Sequence, residues 1–503
     1  MDLETIPAFA EKASGPRQTP PANLIQSLTN GYVDDLWALL DLDIHHIKGV
    51  GHSCSIQLAV WRLNLITLAQ IFKHPFLDTD LELQIRQTHP KADIHIPSLQ
   101  KVSIMVRITP FAVEQWMDAY ETTPGVLNVA ETCAASVSID DLVAMSSGPA
   151  KSPIDTSIKL TYGAIPGSQT LRERIAAHCS TEEVQLTPED VIVTQGAIAA
   201  NFLALYTLIG PGDHVICVYP TYQQLYDTPR SLGTEVTLWK LKKENGFVPD
   251  VDELAGLIKP NTKMIIINNP NNPTGAPIPN SVIDRISKVA EENGIILFSD
   301  EVYRPLFHGG ASGSNQTEAP KPVTTLGYHR TIATGSMSKG YALAGIRVGW
   351  IASRDRSIIS AIMLARDYTT ISVSQIDDQV ARFALSPEVK PALIERNISL
   401  ARTNAAILKD FMDRYKSVCS WVEPKAGTTA FIRFSDKNGD PVDDVKLCLD
   451  LLDKAKLLFV AGSRCFGGDA DFKGYVRMGY VCETDVLIAG LKALEDYIDQ
   501  ALV

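Results

Sequence analysis

The sequence lacks the signals of several protein classes. It has no Cys-x-x-Cys pair, and none of its eight cysteines lies beside a histidine cluster at zinc-finger spacing, so we predict no metal site. The cysteines are far apart, which indicates reduced structural thiols and a reducing compartment. The most apolar stretch, residues 56–72, is interrupted by Gln57, Arg62, Asn64 and Gln70 and is therefore too polar for a membrane span.

An excess of positive charge is also missing. The 503 residues include 46 Lys and Arg against 58 Asp and Glu, a net charge of −12, whereas a surface for nucleic acid or an anionic membrane needs clustered basic residues. We therefore predict no nucleic-acid partner and no membrane partner. The opening residues, Met1–Glu4, lack the basic and apolar regions of a signal peptide, so we expect a cytoplasmic protein that acts on a small molecule.

Residues 1–104 differ from the rest of the chain. They contain six of the ten histidines and show little periodicity. Two explanations remain open: an appended regulatory or targeting region, or an upstream translation in front of a natural start at Met105. We favour the second, because patterned sequence begins directly after Met105.

Beyond Met105, short apolar runs alternate with helical stretches. The runs are residues 191–194, 214–218, 264–267, 295–298 and 331–334. This spacing predicts an α/β fold with a mostly parallel central sheet and helices on both of its faces. We predict an N-terminal arm with part of a small domain at 105–152, a large domain at 153–390 and a smaller α+β domain at 391–503.

The residues that follow these strands carry the candidate chemistry, because ligands of open α/β sheets bind at the carboxyl ends of the strands. Gln195-Gly196-Ala197-Ile198 is either a plain tight turn or a helix start whose amides hold a phosphate. Residues 268–275, rich in Asn and Pro, place a side-chain amide on a stiff loop. Asp300 and Tyr303 set a carboxylate and a phenol three residues apart; the alternative for Asp300 is a helix cap.

Lys339 follows the last of these strands in the segment Gly335-Ser336-Met337-Ser338-Lys339. Burial among small and apolar residues lowers the pKa of a lysine and makes its neutral amine a nucleophile for an aldehyde. The nearby Ser336, Ser338 and Arg347 suit a doubly charged phosphate. The alternative is a solvated surface lysine.

In their order along the chain, these motifs resemble those of the class I/II aminotransferase family: Asn-Pro-Thr-Gly at 272–275, Asp300 with Tyr303, and Ser-x-Ser-Lys followed by Arg347. That family has fold type I and depends on pyridoxal 5′-phosphate. The resemblance, which runs from about Phe111 to the C-terminus, implies that Lys339 binds the cofactor aldehyde and moves a proton at the substrate Cα. It implies ring contacts for Asp300, Tyr303, Asn272 and Tyr222, and phosphate contacts for Ser336, Ser338, Arg347 and the amides of Ala197 and Ile198.

Two further segments resemble the family. Residues 474–479 match the segment whose arginine, here Arg477, binds the α-carboxylate of the substrate. Tyr162-Gly163 matches the segment whose tyrosine reaches the phosphate in the neighbouring subunit. The resemblance therefore implies a homodimer with a shared active site.

The shared motifs do not choose among transamination, β-elimination and cyclisation. Residues 109–117 and 128–133 resemble the aminocyclopropane-carboxylate-synthase-like branch of secondary metabolism, which includes capreomycidine-synthase-like enzymes and enzymes of gliotoxin-type pathways. We expect an aminotransferase-type enzyme that acts on an amino acid or a cysteine adduct; a carbon–sulfur lyase and a cyclase are the alternatives. Cys133 is either a substrate-side thiol or a buried small residue. A non-catalytic regulatory module is disfavoured by the acidic charge and the complete catalytic set.

Overall fold

The computed structural model describes residues 107–149, 151–311 and 319–501. Residues 1–104, for which the sequence left two explanations open, lie outside the described residues. Within the described ranges, no helix is long and apolar enough to cross a membrane.

A seven-stranded sheet lies at the centre of the region 191–352. Its strands are β2 (Val191–Thr194), β3 (His214–Tyr219), β4 (Glu235–Lys240), β5 (Thr262–Asn268), β6 (Ile296–Asp300), β7 (Thr331–Ser336) and β8 (Gly349–Ala352), after a short β1 (Leu127–Asn128) that belongs to another sheet. The strand order is β2-β8-β7-β6-β5-β3-β4. Only β8 runs against its neighbours, β7 and β2, so the expected mostly parallel α/β sheet is confirmed.

Helices cover this sheet on both sides. They are α3 (Gln169–His178), α4 (Gly196–Leu208), α5 (Gln224–Ser231), α6 (Val251–Leu257), α7 (Asn280–Glu292), α8 (Arg356–Arg366) and α9 (Gln375–Ala384), preceded in the chain by α1 (Ala112–Tyr120) and α2 (Ile139–Ala144). Along β3, Ile216 and Val218 belong to one apolar cluster, whereas Val215 and Cys217 belong to a second. Because side chains alternate between the faces of a strand, the apolar runs of the sequence are strands buried on both faces.

The C-terminal part of the chain adds two smaller sheets. One is antiparallel with the order β12-β13-β10-β9, and the other pairs β1 with β11 in parallel. The strands are β9 (Cys419–Trp421), β10 (Thr429–Phe434), β11 (Leu457–Leu458), β12 (Val460–Ala461) and β13 (Tyr475–Gly479), and the helices are α10 (Lys390–Arg414), α11 (Asp444–Ala455), α12 (Gly462–Phe466) and α13 (Thr484–Ala501). This is the α+β arrangement expected there; the domain boundaries at 152 and 390 stay a prediction.

Side-chain caps define where several helices begin. Ser168 accepts a hydrogen bond from Leu171 N at the start of α3, and Asp355 accepts from Ser357 N at the start of α8. Such caps satisfy amides that have no partner inside the helix. The hydroxyl of Ser168 also donates to Asp378 in α9, so this cap joins two helices.

Gly479 fixes the segment that precedes α2 against β13. Its amide donates to Val129 O at 2.7 Å, and a Cβ at Gly479 would lie only 1.7 Å from Glu131 O. This contact is with backbone, which cannot rotate away. A glycine is therefore required where residues 129–131 cross the end of β13.

We predict that Gly479→Ala lowers the free energy of unfolding by about 3 kcal/mol, the upper part of the usual range for overpacking a close contact. Gly256→Ala is the matched control, because a Cβ at this helical position meets nothing within 4 Å; it should be neutral or stabilise by up to about 1 kcal/mol. Urea unfolding of both variants measures the difference. Equal stabilities would contradict the close approach.

Candidate active site

A cavity of about 640 Å³ lies at the carboxyl ends of the central strands. Ten of the twelve residues singled out in the sequence line it: Ala197, Ile198, Tyr222, Asn272, Asp300, Tyr303, Ser338, Lys339, Arg347 and Arg477. Nine of them follow or adjoin strands of the parallel sheet, which brings them to one edge. Arg477 comes from β13 of the antiparallel sheet.

The other two residues lie outside the cavity lining. Ser336 is buried, and its hydroxyl accepts a hydrogen bond from Ser338 N at 3.1 Å. Tyr162 is 77% exposed and is not among the residues that line the cavity. Its role toward a neighbouring subunit stays a prediction.

The start of α4 forms a cradle for an anion. The first two amides after Gly196 belong to Ala197 and Ile198, both of which line the cavity, and the start of a helix carries partial positive charge. A Cβ at Gly196 would lie 2.6 Å from Arg347 Nη2, and a Cβ at Gly349 would lie 2.3 Å from Gly196 C. The glycines therefore keep the guanidinium and the helix start close together.

Asp300 is a buried carboxylate at the end of β6. It accepts hydrogen bonds from Asn201 Nδ2 at 2.9 Å and from Val302 N at 3.1 Å. Burial raises the pKa of Asp300 to about 6 and outweighs these two hydrogen bonds, which lower it. Such a group is stabilised by a cation placed beside it.

Asn201, which binds Asp300, was not predicted from the sequence as a residue of the site. It is 1% exposed, and its Oδ1 accepts a hydrogen bond from the Thr334 hydroxyl at 2.6 Å. Asn201 thus joins α4 to β6 and β7. A single Asn in the apolar helix sequence of α4 was the available signal, because buried polar side chains need partners.

The surroundings of Lys339 contradict the expected lowering of its pKa. Its Nζ lies 3.3 Å from Glu131 Oε1 and 3.4 Å from Cys133 Sγ. Burial acts to lower the pKa of Lys339, as expected, but Cys133 and Glu131 together raise it above its ordinary value. The expected lowering of this pKa was wrong, because the sequence did not reveal a carboxylate from a segment two hundred residues away.

Of the two side chains that contact Lys339, Glu131 and not Cys133 is the one that is negatively charged. Burial raises the pKa of the Cys133 thiol to about 11, so the thiol is neutral near pH 7. Although burial acts in the opposite direction, Lys339 and the hydrogen bonds from Cys133 and Thr132 lower the pKa of Glu131 to about 2. Glu131 and Lys339 therefore form an ion pair inside the cavity.

Arg477 offers its guanidinium to a ligand. The residue is 3% exposed, and Nη2 donates to Ala130 O at 2.8 Å. Within the described residues its Nε has no hydrogen-bond partner, and no ion pair includes it. A buried guanidinium of this kind suits a carboxylate.

The remaining ring contacts lie in place for a flat aromatic ligand. Tyr303 and Asn272 are both buried and line the cavity. The Tyr222 hydroxyl donates to Glu114 Oε1 at 2.8 Å, and its ring lies 4.8 Å from that of Phe111.

The donor set fits the pyridoxal phosphate that the resemblance implies. The α4 cradle and Arg347 match its phosphate, the buried carboxylate of Asp300 matches a protonated ring nitrogen, and Lys339 supplies the amine.

The pKa of Asp300 predicts a dependence of stability on pH. A carboxyl whose pKa is raised by folding, here from 3.8 to about 6, stabilises the folded state below its ordinary pKa and loses this contribution as the pH rises through the folded value. Cofactor-free Asp300→Asn should therefore gain stability relative to the wild type between about pH 4 and about pH 6. Urea unfolding across this range measures it, with exposed Asp284→Asn as control. A constant difference between Asp300→Asn and the wild type would contradict the raised pKa.

Comparison with known proteins gives several relatives that match most of the chain. Capreomycidine synthase of Streptomyces vinaceus is 31% identical over 332 residues, which are 66% of this chain and 79% of that protein. The aspartate aminotransferase of Thermotoga maritima is 27% identical over 335 residues, 66% of this chain and 82% of its own length.

A solved structure and a family model agree with these relatives. The structure of a PLP-dependent aminotransferase from Streptococcus suis 89-1591 has a TM-score of 0.71 and 36% identity, and the match covers 78% of this chain and 99% of that one. The family model of aminotransferase class I and II matches residues 154–489. Because this match spans more than half of the chain, the protein belongs to the aminotransferase class I and II family and is a pyridoxal-phosphate-dependent enzyme of fold type I.

Proposed function

We propose that the enzyme transfers the α-amino group of an amino acid or a cysteine adduct, in the cytoplasm and in secondary metabolism. The observation that carries this proposal is one cavity that holds both Lys339 and the guanidinium of Arg477, whose Nε has no hydrogen-bond partner among the described residues. An amine for the cofactor and a cation for the substrate carboxylate are the two groups that bring Cα to the cofactor.

In this proposal the cofactor is held at both ends. Ser336, Ser338, Arg347 and the amides of Ala197 and Ile198 bind its phosphate, whereas Asp300, Tyr303, Asn272 and Tyr222 contact its ring. Bound pyridoxal phosphate withdraws electrons from the substrate Cα. Asp300 supports this by keeping the ring nitrogen protonated, since a buried carboxylate is stabilised by an adjacent cation.

Lys339 acts on the proton at Cα. Its Nζ is restrained by Glu131 and Cys133, which keep the amine inside the cavity. Arg477 binds the α-carboxylate and so fixes the position of Cα relative to this amine. Neither group decides what happens beyond Cβ.

A carbon–sulfur lyase and a cyclase are the second candidates. The similarity to a protein named capreomycidine synthase favours keeping the cyclising alternative. All three reactions need Lys339, so the reaction products have to separate them.

Incubation of the holoenzyme with amino acids tests the proposal. We expect amine transfer that requires a 2-oxo acid, and Lys339→Ala should lower its rate at least about 1,000-fold because the nucleophile and proton carrier is lost. The control is Lys416→Ala, an exposed lysine on the surface. Pyruvate and ammonia formed from an S-conjugated cysteine without any oxo acid would reject transamination in favour of elimination.

We also propose a homodimer. Large apolar side chains are exposed on α4 at Ile198, Phe202 and Tyr206, and near the end of α8 at Leu364 and Tyr368. The two helices pack together, so we call these five residues the α4–α8 face. Contiguous exposed apolar surface of this kind marks an interface. In this proposal a second copy covers the α4–α8 face, and the exposed Tyr162 reaches the cavity of that copy.

Phe202→Arg should convert the dimer to a monomer, because an arginine in the centre of the α4–α8 face places unpaired charge in the interface. Ile488→Arg is the matched control, since Ile488 is 52% exposed on α13. Light scattering after size exclusion gives the mass of each variant. A wild-type protein with the mass of one chain would overturn the dimer proposal.

A further inference from the structure

Three acidic side chains of the cavity have no part in the proposed chemistry. Glu114 and Asp118 lie on α1, and Glu121 follows its last residue. Their spacing of four and three residues places them on one side of the helix. We call Glu114, Asp118 and Glu121 the acidic wall.

The acidic wall lacks a positive partner in the described structure. Among the described residues, no ion pair includes any of its three members. Burial raises the pKa of Glu121, and the negative charges of Glu131, Glu114 and Asp118 raise it further. These carboxylates repel one another, and a cation between them would relieve the repulsion.

Glu131 adds a further carboxylate to this region of the cavity. It lies 3.3 Å from Lys339 and lines the same cavity as the acidic wall.

Arg477 is an independent sign that a ligand occupies the same cavity. It is 3% exposed, and its Nε has no partner among the described residues. A guanidinium buried in this way calls for an anion. The cavity thus offers a buried cation and a separate acidic wall, which together suit a ligand with a carboxylate and a positive charge.

The charges that this chain brings to the cavity do not favour a second carboxylate on the ligand. Of the described residues that line it, the basic ones are Lys339, Arg347 and Arg477, and each already has a proposed role toward cofactor or α-carboxylate. On this chain's side of the cavity, a distal carboxylate would therefore meet the acidic wall without a counter-ion. The rings of Phe111 and Tyr222, 4.8 Å apart beside Glu114, add aromatic surface that attracts cations.

We propose that the substrate is an amino acid whose side chain ends in a guanidinium or an ammonium group, and that Glu114, Asp118 and Glu121 bind this group. The proposal rests on the proposed function, because it uses Arg477 for the α-carboxylate. The acidic wall sets specificity and takes no part in the chemistry at Cα.

A comparison of L-arginine with L-citrulline tests the charge directly, because the two differ by a guanidinium against a neutral urea group of similar shape. Each is titrated into the holoenzyme, and binding is followed by calorimetry and by the change in visible absorbance. We expect arginine to bind at least about tenfold more tightly, as for a charge pair formed in a partly enclosed site. L-lysine against L-norleucine repeats the comparison with an ammonium.

Variants assign the preference to the acidic wall. Asp118→Asn with Glu121→Gln should reduce the arginine-to-citrulline affinity ratio to about two or less, because the charge pair with the guanidinium is lost. Each single variant should give part of this loss. Asp284→Asn, an exposed carboxylate elsewhere, should leave both affinities unchanged.

The outcomes separate this proposal from the proposed function. Equal binding of arginine and citrulline by the wild type, or tighter binding of L-glutamate, would overturn the cationic substrate even if amine transfer occurs. A holoenzyme that binds and converts none of the amino acids would overturn both proposals. The wild-type comparison needs no variant, so a misfolded mutant does not prevent the test.

Discussion

The hydrogen bond from Asn201 to Asp300 joins the two parts on which the active site depends. Asn201 lies on α4, whose first amides form the anion cradle, and Asp300 ends β6. A third element, β7, joins through the Thr334 hydroxyl. The contact is 2.9 Å long and fully buried, where a lost partner is costly. It sets the separation between the phosphate end and the ring end of the cofactor site.

The pairing of positive and negative side chains in the cavity is a second constraint on the site. The cavity is lined by three basic residues, Lys339, Arg347 and Arg477, and by several carboxylates. Among the described residues, Lys339 pairs with Glu131, whereas the buried Arg477 is bonded to carbonyl and amide oxygens and has no carboxylate partner. Because an uncompensated buried charge is expensive, Arg477 marks where a ligand's negative charge belongs.

Much of the fold was predictable because it is encoded locally. Apolar runs flanked by turn residues located β2, β3, β5, β6 and β7, whereas β4 and β8 were missed. Strand β4 is only partly buried, with the pattern of a sheet edge, so its sequence lacks a continuous apolar run. The first residue of β8, Gly349, lies so close to the start of α4 that a glycine is needed there, and that requirement is not visible in the strand's own sequence.

The sequence alone determined which groups follow the strands, since motif residues such as Lys339 and Asp300 are close to their strands in the chain and a parallel sheet places all carboxyl ends on one edge. Only the tertiary structure decided their electrostatic state. Glu131 comes from a distant segment and lies 3.3 Å from Lys339, which reverses the pKa shift expected from burial alone. The proposed role of the acidic wall, Glu114, Asp118 and Glu121, likewise depends on the position of α1 beside the cavity, which local sequence does not reveal. Charge interactions depend on distance in space, and distance in space between remote segments is not written in local sequence.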